Sequence, residues 1–405
     1  MSRDAAPESL AAWLSVAARR LSGRLIFHNL VRGRNTEVGG REEAAQRGPF
    51  VLPCFESATA VSLDLGFLGL SVPPAGVFAR LSELCLIRVR FHGPCELGDA
   101  VSSPLCPCLL KLSVRDTRGL GNLSIHSESL LRVELINLRG LRQLAIVAPA
   151  LERLRVSLCF FNDQNQPVAS ISAPQLVLLG WNDLYDPSSV HLGKMGHLQW
   201  LASFFFVYGQ DGFTQNRSCL RLLKHFKVID GLILTLAYLQ ELDNQQYLMD
   251  DMTVLPGITI LHLIVMANGH AFGASSFHVL RMCSGIRKLI LGLAATDSEA
   301  QTACPSGCIC GQQAHWKTEE LLLNHLQEVE IRELRGSEHE VAFLRRLFSW
   351  ATVLKKITVT LNHSVSESMA KELRQMLQSF CRPEICMEFY MYNTDMTKVL
   401  YAPED

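Results

Sequence analysis

The stretch HLQEVEIRELRGSEHEVAFLRRLFSWATVLKKITV, residues 325 to 359, decides the fold. It opens with Leu326, Val329 and Ile331 in an L-x-x-L-x-L frame and ends with Leu354, Ile357 and Val359 in the same frame, 28 residues later. A further 28 residues lead to Arg382, with Ile385 and Met387 in the two inner slots. Upstream, Ile258, Leu261 and Leu263 stand 28 residues before Ile286, Leu289 and Leu291. From Ile286 to Leu326 the step is 40, one period plus an insertion of 12. A fixed period of this length is the signature of stacked repeats.

Between the frames the pattern turns helical. Ser337 stands three residues before Glu340, a capping box, and Val341, Leu344, Leu347, Phe348 and Ala351 follow on one face. The next period offers Ser364 with Glu367, then Met369, Leu373, Met376, Leu377 and Phe380. A unit of strand, turn and amphipathic helix cannot bury its apolar side alone, so neighbours must stack. The expected fold is an α/β leucine-rich-repeat solenoid, with parallel strands on the concave face and helices or short extended segments on the convex face.

Upstream the period shortens. Frames begin at Leu81, Leu109, Leu130, Leu151 and Ala173, the last four spaced 21, 21 and 22, with further frames intercalated at Leu120 and Leu141. So short a coil has too little chain for a strand and a long helix, and its outer side should be extended or briefly helical. Residues 180 to 257 resist phasing. Before the repeats, Leu10, Leu14, Ala17 and Leu21 share a helical face beside Trp13, and GRLIFHNL reads as a first strand. The expected division is an N-terminal helix and strand at 1–30, a charged, glycine-rich linker at 31–50 and leucine-rich repeats at 51–300. A Cys-rich inserted loop at 301–320, C-terminal repeats at 321–392 and a tail at 393–405 complete it.

At 405 residues and 48% hydrophobic, the chain can bury a large core. Lysine and arginine number 38 against 39 acids, so no global field favours nucleic acid or a membrane surface. The runs GLILTLAYL and ITILHLIVMA are about half the length a bilayer requires and read as core strands. No apolar leader is seen at the N-terminus. The 13 cysteines sit mostly in apolar frames, which suits a reducing compartment, cytoplasmic or nuclear. The N-x-[ST] matches at Asn122, Asn216 and Asn362 are then chance.

Catalytic signatures are lacking. HEVAF at 339–343 begins like a zincin helix, but Phe343 stands where the second histidine is needed. No G-x-S-x-G, Walker or G-x-G-x-x-G pattern occurs, so the chain is read as no enzyme and as holding no cofactor. One group has ligand character: Cys304, Cys308 and Cys310 with His315, inside the insertion. Their C-x3-C-x-C spacing is not a paired knuckle, and the block is read as a Cys-rich loop without metal. His262 is read as a wall residue.

Solenoids bind through the strand face, where the non-frame residues point outward. In the coils at 109, 130 and 151 these are Lys111, Ser113 and Arg115; Arg132, Glu134 and Ile136; Arg153, Arg155 and Ser157, five basic and one acidic. Downstream they include Glu328, Glu330 and Arg332. The candidate partner-binding residues are therefore Lys111, Arg115, Arg132, Arg153 and Arg155 on a basic patch, and Glu328 and Glu330 on an acidic one.

Three stretches carry a resemblance: residues 55–91 (FESATAVSLDLGFLGLSVPPAGVFARLSELCLIRVRF), 130–156 (LLRVELINLRGLRQLAIVAPALERLRV) and 304–359, which begins CPSGCICGQQAHWKTEELLLNHLQEVEI. Together they resemble the plant F-box, leucine-rich-repeat, FBD proteins, in particular the grass members, over roughly residues 8 to 390; the last stretch looks like an FBD module. The resemblance implies repeats that hold a substrate protein and an F-box that docks on a Skp-type adaptor of a cullin ubiquitin ligase. Residues 1–12 are too short for an F-box, so adaptor docking is expected only if one is supplied. The expected function is a non-catalytic interaction scaffold resembling the substrate-recognition part of such a ligase; the alternative is a repeat protein with no ubiquitin role, or a competitor of full-length relatives.

Overall fold

Seven L-x-x-L-x-L-type segments in the first half of the chain become strands because their alternate side chains find the same neighbours in the next coil. The computed structural model describes residues 7–29, 49–72, 77–92, 97–160, 167–209, 214–242, 246–294, 304, 307–312, 315–393, 395 and 397–401. Most of the expected linker, parts of the Cys-rich loop and part of the tail lie outside the described residues. The chain forms two compact units, Met1–Leu198 and Gln199–Asp405. Among the described residues no helix is long and apolar enough to cross a membrane.

In the first unit, helix α1 (Pro7–Arg20) buries Leu10, Leu14 and Ala18 and leaves Trp13 exposed. After it come β1 (Arg24–His28), β2 (Ala60–Asp64), β3 (Glu83–Ile87), β4 (Lys111–Arg118), β5 (Arg132–Arg139), β6 (Arg153–Ser157) and β7 (Leu178–Asn182). Each pairs in parallel with the next. Leu84, Leu112, Val133, Leu154 and Leu179 stand in one inward row, and Leu86, Val114, Leu135, Val156 and Trp181 in another; all are buried.

The intercalated frames form a second parallel ladder: Asn122–His126, Gln143–Val147, Val168–Ser172 and Val190–Leu192. Its inward Leu123, Ile125, Leu144, Ile146, Ala169 and Ile171 are buried. A short coil is thus two strands and two turns, with extended chain in place of a helix. The turns need left-handed residues. Asp116, Asn137 and Leu158 have φ of 54°, 52° and 56° at equivalent positions, and Asn137 Nδ2 donates to Asp116 Oδ1 at 2.7 Å, joining coil to coil. Gly119 has φ +83°, and a Cβ there would lie 2.2 Å from the Phe91 carbonyl oxygen, so only glycine fits.

In the second unit a longer coil accommodates helices. Strands β8 (Trp200–Phe206), β9 (Gly231–Ala237), β10 (Ile260–Met266), β11 (Lys288–Ala294), β12 (Glu328–Leu334), β13 (Lys356–Leu361) and β14 (Cys386–Tyr392) pair in parallel, each with the next. A final β15 (Lys398–Leu400) turns back antiparallel to β14. The helices are α2 (Thr214–His225), α3 (Gly273–Met282), α4 (Glu338–Trp350) and α5 (Glu367–Ser379), besides shorter turns. The periodic frames hold their expected places in β10 to β13, with Leu289, Val329 and Ile357 in register.

Three local expectations are corrected. Ile357 pairs with Met387, not Ile385, so the last coil runs longer than the period and Phe389 is its buried residue. Leu154 pairs with Leu179, so Leu176 takes the place of Leu151 and the expected frame at Ala173 shifts. The capping box of α4 is present in full, whereas α5 is capped by Ser366, whose Oγ accepts from Met369 N; Ser364 is instead held by Asn362 Oδ1 through both its N–H and its hydroxyl. The helix therefore starts later than the sequence pattern placed it. Ala370, Leu373 and Leu377 form its buried face, and Met369 and Met376 are exposed.

Candidate functional site

The outward rows of the first ladder follow directly from register. Lys111, Arg132 and Arg153 are cross-strand neighbours, as are Ser113, Glu134 and Arg155. Glu134 is half-buried and takes Arg115 as an ion-pair partner, with Arg155 Nη1 3.5 Å from its other oxygen. Ser113 Oγ accepts from Arg115 Nε at 3.0 Å and fixes that guanidinium. Two of the five expected cations thereby share one carboxylate as their ion-pair partner. Glu83, beside Lys111, turns to Arg24 Nη2 at 3.4 Å. Among the described residues Lys111, Arg132 and Arg153 make no ion pair, and all three are exposed. Lys111 also lines a hollow of about 240 Å³, with Arg24, Ile26, Ser62, Ser113 and Arg115 among others.

On the strand face of the second unit the expected acidic residues are charge-balanced. Glu328 meets Lys288 at 3.2 Å, Glu330 meets Arg332 at 2.8 Å and Glu388 meets Lys356 at 3.0 Å. Burial pushes the Glu330 carboxyl up, but Arg332, with Lys288 and Lys398, more than reverses this and leaves it below its ordinary value. His262 sits half-buried between Ile233 and Ile290, its pKa lowered by burial and by Arg332. Toward β8 most outward residues are apolar, Trp200, Phe204, Phe206, Ile233, Ile260 and Ile264 beside Thr235 and His262, with Phe204 and Phe206 edge to face at 5.1 Å. Sequence reading missed this strip, because WLASFFF is a nearly continuous apolar run that does not itself say which side chains face out.

A separate cluster is built by the turn after β10. Asn268 and Gly269, with φ of 46° and 83°, swing His270 back, and His270 N donates to Ala267 O at 2.9 Å. The imidazole is 2% exposed and stacks on Tyr238 with ring centroids 6.0 Å apart. Its Nδ1 lies 3.2 Å from Cys304 Sγ, 3.5 Å from Cys308 Sγ and 3.6 Å from Cys310 Sγ, and Cys304 Sγ is 3.3 Å from Cys310 Sγ. Every described cysteine is a free thiol. The three thiols of the expected group do converge, but His315 is not with them: it stands exposed at the start of a 3₁₀ turn, His315–Lys317, and His270 takes its place. No spacing in the sequence points to His270, which lies in the turn after β10, with all of β11 between it and Cys304.

Residues 10–195 match the family described as FBD-associated F-box protein At5g56370, LRR repeats, and residues 320–359 match FBD. The FBD segment covers β12, α4 and the start of β13. A putative F-box/FBD/LRR-repeat protein of Arabidopsis thaliana, At4g03220, is 26% identical over 337 residues, spanning 80% of this chain and 67% of the relative. No solved structure matches.

Proposed function

We propose that this chain, similar over its repeats and its FBD segment to plant F-box/FBD/leucine-rich-repeat proteins, is a non-catalytic scaffold that holds a substrate protein for a cullin-type ubiquitin ligase. It acts in the cytoplasm or nucleus, and docking on a Skp-type adaptor is the task of an F-box. The observation that carries the reading is the line Lys111, Arg132, Arg153. Their strands stand about 4.8 Å apart, and like charges directly opposite each other are destabilising. A fold that balances Arg115, Arg155, Arg24 and Lys288 with carboxylates leaves these three cations open on one exposed row. Guanidinium forks suit carboxylate-rich or phosphorylated segments, and exposed charges act mainly through association rate and specificity. Arg115 and Arg155 shape the rim by fixing Glu134, and the ion-paired Glu328 and Glu330 border a second contact area.

The test compares partner capture by the unmodified chain and by Arg132→Glu/Arg153→Glu, using quantitative mass spectrometry of pull-downs from plant extract at two salt concentrations. The double reversal should keep the thermal midpoint and lose the salt-sensitive partners. Leu154→Asp, which buries a charge at a fully enclosed position between Arg153 and Arg155, should unfold the coil. Retention of every partner by the double variant would remove the basic row from the binding face.

A further inference from the structure

We propose that His270, Cys304, Cys308 and Cys310 form a structural zinc centre that ties the insertion between β11 and β12 to the turn after β10. The donor set is three soft sulfurs and one imidazole nitrogen, the ligands that zinc selects in closed tetrahedral sites. All four donor atoms lie within 4.8 Å of one another. With Zn–S of about 2.3 Å and Zn–N of about 2.0–2.1 Å, a tetrahedron has edges of about 3.5–3.8 Å. The Nδ1–Sγ edges of 3.5 and 3.6 Å fall within that range, and the Nδ1–Cys304 Sγ and Cys304–Cys310 edges of 3.2 and 3.3 Å are shorter than it.

The imidazole is aimed for the task. Its Nε2 faces the Gln240 carbonyl oxygen at 3.2 Å and donates to it, which leaves the Nδ1 lone pair directed at the three sulfurs. This carbonyl–imidazole pairing is how metal-ligating histidines are oriented. His270 and Cys310 are 2% and 4% exposed, so the group is closed off from solvent on that side. With four protein donors, no coordination position is left for water or substrate, and the role is structural.

The position in the fold says what the metal does. His270 belongs to one repeat and the three thiols to an insertion one repeat further on, so the ion cross-links segments that the whole of β11 separates in the chain. The insertion also seats Trp316 against α3, where a Cβ on Gly273 would lie 2.1 Å from the Trp316 ring. The centre thus orders the approach to the FBD segment, which starts at residue 320. Binding exchanges three S–H protons, released to solvent, for three zinc–thiolate bonds.

The full chain, purified with reductant and freed of loose metal, is assayed for bound zinc by plasma mass spectrometry; about one equivalent is expected. Apoprotein titrated anaerobically with Co(II) should give the intense visible bands of a tetrahedral site and a near-ultraviolet thiolate charge-transfer band, both abolished by Zn(II). His270→Ala and Cys308→Ser should weaken Co(II) binding more than about tenfold, since even changes behind the ligands cost that much. His270→Cys should keep a tetrahedral spectrum, and His315→Ala should bind as the unmodified chain does. The proposal is overturned by well-folded reduced protein that holds little zinc and gives no tetrahedral Co(II) spectrum. It is equally overturned by a Cys304–Cys310 disulfide or iron–sulfur absorption in the fresh isolate, or by His315→Ala losing metal that His270→Ala keeps. The unmodified chain decides the first of these whether or not a variant folds.

Discussion

Removing the Glu340 carboxylate should destabilise the second unit more than removing the serine that caps the same helix. Glu340 is 6% exposed, and one of its oxygens accepts from the backbone N–H groups of Arg335, Gly336 and Ser337 at 3.2, 2.7 and 2.9 Å. Glu340→Ala leaves three donors in a turn closed by Leu373, which packs where a Cβ on Gly336 would go. One buried orphan donor costs about 1–3 kcal/mol. Water entering the opened turn recovers part of that, and loss of the carboxylate's own burial penalty recovers more, so the net cost is about 3 kcal/mol. Ser337→Ala removes a single acceptor, 3.4 Å from Glu340 N, and should cost about 1 kcal/mol. For a unit of this size that separates the thermal midpoints by about 4–8 °C. The assay is urea and thermal unfolding followed by helical circular dichroism and by tryptophan emission, which Trp350 and Trp316 report from this unit. A pH series adds a sign. Burial raises the Glu340 carboxyl above its usual value against the opposing pull of the three N–H groups. A raised folded-state pKa contributes stability that is complete below the unfolded value and is lost as pH rises through the folded one. The margin of the unmodified chain over Glu340→Gln should therefore narrow from acid to neutral pH. Equal costs for Glu340→Ala and Ser337→Ala, or a margin that widens with pH, would refute the reasoning.

In the first unit Asp183 is buried and accepts from Phe160 N and Leu184 N at 3.1 Å and from Cys159 N, yet burial lifts its carboxyl from 3.8 to about 6. Its contribution is complete well below pH 3.8 and lost through pH 6, so between pH 4 and 7 the unmodified chain should lose about 2 kcal/mol relative to Asp183→Asn, read by Trp181 emission in urea; parallel pH curves would contradict this. Gly273→Val should displace Trp316 from its seat beside Phe343, cost about 1–3 kcal/mol and expose the insertion to limited proteolysis, whereas an unchanged midpoint with unchanged emission would show that the contact is slack.

The periodic apolar positions determined the repeat architecture by themselves. Leu289, Val329 and Ile357 meet across strands because each coil must bury its own inward row against the next, and the repeated frame keeps those rows aligned even where an insertion lengthens the coil between Leu289 and Val329. The capping box at Ser337 and Glu340 was equally legible, since both partners lie within one turn of chain. Where the period varied, the sequence misled: the longer last coil and the shift at Leu179 depend on how much chain a turn absorbs, which neighbouring coils decide.

Which charges pair and which side chains meet depends on the folded chain. Glu134 pairs with Arg115 and Arg155 because register places it between them, each one coil away on either side, and among the described residues Lys111, Arg132 and Arg153 make no ion pair. Composition counts those five cations alike. His270 and His315 are likewise equivalent to a reader of spacing, and His315 is nearer to the cysteines. The left-handed turn after β10 brings His270 onto the three sulfurs and its Nε2 onto Gln240, while the His315 side chain is exposed to solvent. Local pattern fixes which residues are inside or outside a coil, but a site made from two coils exists only after stacking has chosen which turns adjoin.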